Sequence, residues 1–414
     1  MYVLENYDIN LIKCIMHNKF INVNIKDKNG KTALIYSLLN KSCSGKIIKL
    51  LFKKGVNFNE KDINGMTPIM HALNIKSHKI SFNIIKPLKD YEADINKADI
   101  NEKDHNHKSF LIYALDNKVE CSIIEYLLNN NANIHDIDSE KRSVLMYAIH
   151  YKNNKVLEYL LKNELDINSK DLKSESILMY ALENDINFKI IELLLKKGVS
   201  INDKDSDNKF ILMYTAHFGV SNLNDYLIVN NVNITDKNKM NRTALVYSVN
   251  RMHIEITDYL IKNGINVNAK DIRGWSILIH LYLNLVDWLI FIYDFNFLID
   301  NGANINLKDN DRKTLIIHAL NNNHSYYRRI RFLLECGVNM NDEDYNHKSV
   351  LMYAFSNKVD SKIIKYLIED GAKINTKDSN NKTILKYAIE YGNKNNESLN
   401  DKDSMDKSIL FHAI

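Results

Sequence analysis

One spaced set of residue types returns a dozen times along this chain, and that return constrains the fold more than anything else. Its clearest copy reads Asp138-Ser-Glu-Lys-Arg-Ser143-Val-Leu145-Met-Tyr147-Ala148. An aspartate opens a tight turn, where a short acceptor can bond backbone N–H groups two or three residues on. A hydroxyl follows five positions later, placed to cap the helix that begins at Val144. Leu145 and Ala148 lie three apart and share one face of that helix. A unit this short cannot bury its own apolar stripe, so it needs a copy of itself on each side.

The copies open at Asp27, Asp62, Asp104, Asp171, Asp205, Asn238, Asp271, Asp309, Asp344, Asp378 and Asp403. Asp138 to Asp171, Asp205 to Asn238 and Asn238 to Asp271 are each 33 residues apart. A fixed period in this range, across nearly the whole chain, predicts a stack of supersecondary units in which each contacts only its neighbours. Length then ceases to count domains, and the expectation is one extended solenoid over residues 1–414. A dozen units spaced by ordinary helix packing make a curved rod on the order of 100 Å long.

After its first helix each unit carries a second, with apolar pairs three and four apart, such as Ile190/Ile191 with Leu194/Leu195. That spacing makes one broad stripe. The second helices close on Gly55, Gly198, Gly264, Gly302, Gly337 or Gly371, or on Asn131 or Asn231. These two residue types enter the left-handed conformation most cheaply. Glu92 and Glu164 break the rule and mark weaker ends. A small residue at Ala72, Ala114, Ala148, Ala181, Ala319, Ala354 and Ala388 lets neighbouring first helices approach closely.

The unit Asp62-Ile-Asn-Gly65-Met-Thr67-Pro68-Ile-Met-His71-Ala72 resembles the ankyrin repeat pattern D-x-x-G-x-T-P-L-H-x-A. The resemblance runs over roughly residues 10 to 414, with two systematic departures: proline stays in the pattern only at Pro68, and Tyr usually stands for His. It implies an all-α repeat solenoid of helix–turn–helix units with short β-hairpin or loop fingers. It also implies protein binding through the finger tips and the exposed side of the first helices. A tetratricopeptide-type hairpin of similar length lacks the aspartate turn and hydroxyl, and is set aside.

The period predicts a partial leading repeat at 1–26, with Leu11, Ile12, Ile15 and Met16 as its stripe, and regular repeats over 27–377. Units 62–103 and 271–308 are longer. In the first, Ala93-Asp-Ile-Asn96 is echoed by Ala98-Asp-Ile-Asn101, as a finger duplicated in place. The second holds both tryptophans, Trp275 and Trp288, and puts Leu281 at the small position. Residues 378–414 hold an abbreviated repeat and a truncated one, and the stretch from Tyr391 to Ser398 is too polar for a buried second helix.

Searches for chemistry return little. No Gly-rich phosphate loop, nucleophile elbow or His-Glu-x-x-His is present, so the expectation is a non-catalytic chain without cofactor or metal. Asp203-Lys-Asp205-Ser-Asp207 resembles the start of a calcium loop, but Asn208 stands at the sharp-turn glycine and Tyr214 at the bidentate glutamate. His105 and His107 lack further ligands at metal spacing and read as turn residues. His71, His280, His318 and His412 share one frame position with tyrosines, which fits a side chain donating a hydrogen bond to nearby backbone. Cys14, Cys43, Cys121 and Cys336 are scattered and read as thiols of a reducing compartment. The N-terminus carries no leader-like apolar run, so the expected setting is the cytoplasm, with the nucleus as the alternative. Residues 277–299 are membrane-like in hydropathy but include Asp287 and Asp294, and read as a buried helical pair.

What remains is surface. The position four after the frame aspartate is basic in nine of twelve units, including Lys209, Arg242, Lys313 and Lys348. Stacking lines these into a row. It is either a dock for an acidic partner or a solvated fringe offset by the frame aspartates. Trp275, with Ile272 and Arg273 beside it, is the anchor candidate, since Trp and Arg dominate interface hot spots; the alternative is that it packs on the neighbouring finger. The expected function is a monomeric scaffold binding a protein partner. Nucleic acid or acidic lipid is the alternative, and the lysines show no aromatic platform to support it. A second alternative is an adaptor whose effector domain lies elsewhere. The net charge of +4 is too small to imply nucleic acid by itself.

Overall fold

The computed structural model describes residues 14–15, 17–18, 20–39, 45–74, 99–284, 287–321 and 327–395. Outside these lie most of the leading stripe, Cys43, Glu92, the doubled segment from Ala93 and the last unit from Asp403. The chain divides into two compact units, Met1–Ser206 and Asp207–Ile414.

In the first unit the inner helices are α1 (Ala33–Leu39), α3 (Pro68–Leu73), α4 (Phe110–Asp116), α6 (Val144–Tyr151) and α8 (Ile177–Glu183). The outer helices are α2 (Gly45–Lys53), α5 (Cys121–Asn129), α7 (Asn154–Lys162) and α9 (Phe188–Lys196). In the second unit the inner helices are α10 (Ile211–Phe218), α12 (Ala244–Asn250), α14 (Ile277–Leu283), α16 (Leu315–Asn321), α18 (Val350–Ser356) and α20 (Ile384–Asn395). Its outer helices are α11 (Asn224–Val229), α13 (Ile254–Lys262), α15 (Trp288–Asp300), α17 (Tyr327–Glu335) and α19 (Ser361–Glu369). Within each unit, inner helices pack on their sequence neighbours and on their own outer helices. This is an all-α repeat solenoid. The fingers are tight turns, and where strands pair among the described residues they do so through single bridges such as Ile137 with Ser143.

The core follows the frame. Leu145, Ala148, Leu157 and Leu160 are all buried, and every alanine at the small position is fully so. Each Leu or Ile buried this way stabilises by roughly 1.5–3 kcal/mol. Second helices close as the Gly/Asn rule requires. Gly55, Asn131, Gly198, Asn231, Gly264, Gly302, Gly337 and Gly371 all have positive φ. The N–H that follows turns back onto the last helical turn, as Val199 N does onto Leu194 O at 3.1 Å. At Glu164 the closure is absent: α7 leaves directly into extended backbone at Asn163.

The turn departs from the expected pattern in one bond. Asp138 Oδ1 accepts from Glu140 N at 2.9 Å and Arg142 N at 2.8 Å, two and four residues on. The N–H between them, on Lys141, goes to the Asp138 carbonyl instead, because Lys141 is left-handed at φ 60°. The hydroxyl cap is weaker than expected. Ser143, Ser176, Ser349 and Thr67 accept at 3.3–3.5 Å, while Ser109, Thr243 and Ser276 make no such bond. Buried Phe210 occupies the same place, so the site selects for packing more than for capping.

Three sets of links tie neighbouring repeats, and none is visible in the residue pattern alone. Backbone joins the turn tips: Leu172 N donates to Glu140 O at 2.9 Å, Ile272 N to Met240 O at 2.9 Å and Tyr345 N to Asp311 O at 2.8 Å. Asparagine side chains clasp the next loop: Asn268 Oδ1 accepts from Asn304 N at 2.8 Å and its Nδ2 donates to Gly302 O at 2.9 Å. Lysines before the frame aspartate reach acids of the next repeat, as in Lys103 with Asp136 at 2.7 Å and Lys308 with Asp342 at 2.8 Å.

The extra residues of 271–308 lengthen α15 to 13 residues. Its Phe291 and Phe295 pack against Phe332 of α17, and Leu281 fills the inner contact. Asp294 is buried there, and burial pushes its carboxyl up. Among the described residues, no helix is long and apolar enough to cross a membrane. In the abbreviated repeat, α20 runs on through Tyr391 to Asn395.

Candidate interaction surface

The frame aspartate is the hub from which the exposed side of each inner helix is built. Its Oδ2 accepts from the side chain nine residues on: Tyr113, Tyr147, Tyr353 and Tyr387 donate at 2.7–2.8 Å, and His318 Nε2 lies 2.8 Å from Asp309. The expectation of a bond to backbone is thereby corrected; the turn brings the carboxylate back to the side chain nine residues on. Burial together with this carboxylate raises the tyrosines well above the ordinary phenol range.

The basic row lies on these rings. Lys108 Nζ sits 5.6 Å from the Tyr113 ring and 5.4 Å from the Tyr147 ring of the next repeat. In the second unit Lys348 lies over Tyr353 and Tyr387 at 4.2 and 5.4 Å, and Lys382 over Tyr387 at 3.8 Å. Lys108 and Lys348 thus each fill a notch between successive rings. An aromatic platform does accompany the lysines, contrary to expectation, but its tyrosines are buried or half-buried under the ammonium groups. Several charges are also paired: Lys108 with Asp116 at 2.7 Å, Arg142 with Asp138 at 2.8 Å, Lys209 with Asp207 at 3.5 Å and Lys313 with Asp311 at 3.0 Å.

Trp275 occupies the same notch. Its ring stands edge-on to His280 and His318, each with centroids 5.6 Å away, and Arg273 lies 5.0 Å above it. Arg242 reaches in from the preceding repeat to 3.7 Å from Asp271 Oδ2, a carboxylate with 0% side-chain exposure. The structure therefore brings Arg242, Arg273 and Trp275 together around Asp271 and His280. Ile272 projects from the tip at 50% exposure, with Met240 on the preceding tip and Tyr345 two repeats on at 73%. Lys313 and Lys348 follow in the next two notches, whereas Lys209 lies two repeats before Trp275.

The other candidates resolve locally. Asp203 pairs with Lys170 at 2.6 Å. His107 is the left-handed turn residue, and His105 N bonds Asn64 O at 3.0 Å. Cys14, Cys121 and Cys336 are free thiols. Among the described residues no three His, Cys, Asp or Glu side chains converge as a metal would need.

Comparison with known proteins agrees with this geometry. A family described as ankyrin repeats (3 copies) matches residues 1–99, 77–171, 176–271 and 284–378. No curated protein matches the chain. With aspartate turns, paired helices and inter-repeat links recurring through the described part of the matched residues, the chain belongs to the ankyrin repeat family.

Proposed function

We propose that this chain is a non-catalytic scaffold that binds an acidic protein partner as a monomer in the cytoplasm. Ankyrin repeats generally mediate protein–protein interaction, and the family is typically non-catalytic. The observation that carries the reading is the tip ladder: backbone bonds hold successive turns in register while Ile272 and Tyr345 remain exposed beside Arg273, Lys313 and Lys348. A partner meeting tips already fixed loses little in ordering them. Trp275 then acts as the rigid floor under Arg273 rather than as an inserting anchor.

The test is affinity capture from source-cell extract with the wild-type chain, Ile272→Asp, Arg273→Glu and Trp275→Ala. Loss of one specific prey with the two exposed-site variants supports the reading; an unchanged prey set removes it. Retention on a polyanion column that falls steeply with salt would favour the anion alternative.

A further inference from the structure

At the end away from the fingers, several pairs of neighbouring inner helices are tied by another ladder, and one rung of it holds no asparagine. Elsewhere each rung has an asparagine on the later helix: Asn117 Nδ2 to Asn74 Oδ1 at 3.3 Å, Asn184 Oδ1 against His150 Nδ1 at 3.1 Å, Asn284 Nδ2 to Asn250 O at 2.6 Å and Asn357 Nδ2 to Asn321 Oδ1 at 3.2 Å. Between α10 and α12 it is Arg251 to His217. One Arg251 Nη lies 2.9 Å from His217 Nε2, and Arg251 Nε lies 3.5 Å from His217 Nδ1.

An arginine is not needed for a link that asparagine makes elsewhere. Breaks in local consistency without structural gain concentrate at functional places. Arg251 is exposed, and among the described residues no carboxylate lies within ion-pair distance of it. A neutral imidazole has one acceptor nitrogen, so His217 takes one of the five N–H donors, at Nε2, and leaves others for a second acceptor.

The surroundings hold the guanidinium in place. The His217 ring stands edge-on to Phe218 at 4.7 Å and Tyr247 at 6.0 Å. His253 Nε2 lies 3.3 Å from the His217 carbonyl, and its ring packs on Gly219 so closely that a Cβ there would lie 2.7 Å away. Burial, then the charges of Arg251, Lys209 and His253, push the His217 imidazole down, so at neutral pH it accepts from Arg251 rather than repelling it. Phe218, whose ring touches His217, and Met252, next to Arg251 in the chain, are exposed at 38% and 45%.

We propose that Arg251, seated on His217, binds a carboxylate of an acidic segment of a protein partner, with Phe218 and Met252 taking an apolar side chain of the same segment. The inference rests on the protein-recognition reading above and names a second contact area, at the opposite end of the inner helices from the fingers. A planar guanidinium with adjacent free donors matches a carboxylate in a two-bond geometry. Nucleic acid fits less well, since tracking a backbone takes several phosphate contacts and the seat on His217 presents a single exposed arginine beside apolar Phe218.

The test measures anisotropy of a fluorescein-labelled poly(Glu,Tyr) copolymer titrated with the full chain, against labelled poly(Glu) and a labelled oligo(dT). Wild type is expected to bind poly(Glu,Tyr) more tightly than poly(Glu). Arg251→Ala should weaken that binding roughly tenfold or more, and Arg251→Lys, which keeps the charge but loses the fork, by less. Phe218→Ser should remove the preference for poly(Glu,Tyr). Because Arg251 is exposed, an unchanged thermal transition serves as the folding control. Equal binding by wild type and Arg251→Ala, or no copolymer binding at all, overturns the proposal. So does tighter, Arg251-dependent binding of oligo(dT). Prey lost with Ile272→Asp while Arg251→Ala leaves the copolymer bound would retain the finger reading and reject this one.

Discussion

Tyr147 Oη donates a 2.8 Å hydrogen bond to Asp138 Oδ2, the same carboxylate oxygen that takes Arg142 Nε at 2.9 Å. One buried oxygen thereby joins the turn, the inner helix and the basic row. Burial pushes the Asp138 carboxyl up, but the hydrogen bonds from Tyr147 and Arg142 hold it below its ordinary range. Tyr147→Phe removes a donor to a charged acceptor and should cost about 1.5–3 kcal/mol. In the repeat that opens with Asn238 the roles reverse, since Asn238 Nδ2 lies 2.9 Å from Tyr247 Oη and no charge is involved. Tyr247→Phe should therefore cost less, about 0.5–1.5 kcal/mol. Urea unfolding midpoints of the two variants give the comparison, and a larger loss for Tyr247→Phe would reject the charge argument.

Among the described residues, the third after each frame aspartate or asparagine has positive φ, whether or not it is glycine. Lys141, Ser174 and Arg312 hold φ of 60–61°, and Asn208, Asn241 and Asn381 hold 55–58°. A Cβ in this conformation is strained, and at Gly30 an added one would lie 2.9 Å from Asp62 Cα in the next turn. Lys141→Gly and Arg312→Gly should each stabilise by about 0.5–1 kcal/mol, the relieved strain exceeding the added freedom of the unfolded chain. Asn241→Gly should gain less, because asparagine enters this region more readily. Thermal midpoints of the three variants rank the effect.

The period, the glycine and asparagine closures and the small inner position were legible in the sequence, since each depends on residues within one repeat. The acceptor of the Tyr/His position was not. It lies nine residues upstream, across a turn whose backbone must be known before Asp138 and Tyr147 can be seen to meet. The row was legible as charge but not as a zipper. That Lys108 sits between Tyr113 and Tyr147 depends on the spacing between repeats, which no residue type encodes. Trp275 shows the limit most directly: its identity left an exposed anchor and packing on the neighbouring finger both open, and the half-buried place of its ring between His280 and His318 depends on the spacing between repeats.

Asn268 bridges its repeat to the next through both ends of its amide, to Asn304 N and Gly302 O. In a one-dimensional stack such a bond belongs to the interface between repeats rather than to the stability of one repeat. Asn268→Ala should cost about 1 kcal/mol and raise amide exchange at Asn304 before α13 or α14 is affected. Asn266→Ala is the control, because Asn266 Oδ1 bonds only within its own turn, to Asn268 N at 2.9 Å. Equal protection at Asn304 in the two variants would reject the clasp.

His280 should make stability depend on pH. Burial pushes its imidazole from 6.5 down to about 4, against the pull of Asp271 and with the help of the Arg242 and Arg273 charges. Asp271 Oδ2 lies 3.2 Å away but off the hydrogen-bond axis, so the carboxylate does not recover what burial removes. The folded-state value is therefore below the unfolded one. Between about pH 6.5 and 4 the unfolded chain holds more protons at this position, and stability falls as pH falls through that window. A shift of this size corresponds to about 3 kcal/mol when fully expressed. His280→Gln keeps a neutral side chain at every pH and should lose less stability than wild type as pH drops from 7 to 4. Urea midpoints measured across that range give the difference directly. Parallel curves for the two proteins would mean that the imidazole titrates alike in both states, and that the Asp271, Arg242 and Trp275 surround does not hold it neutral.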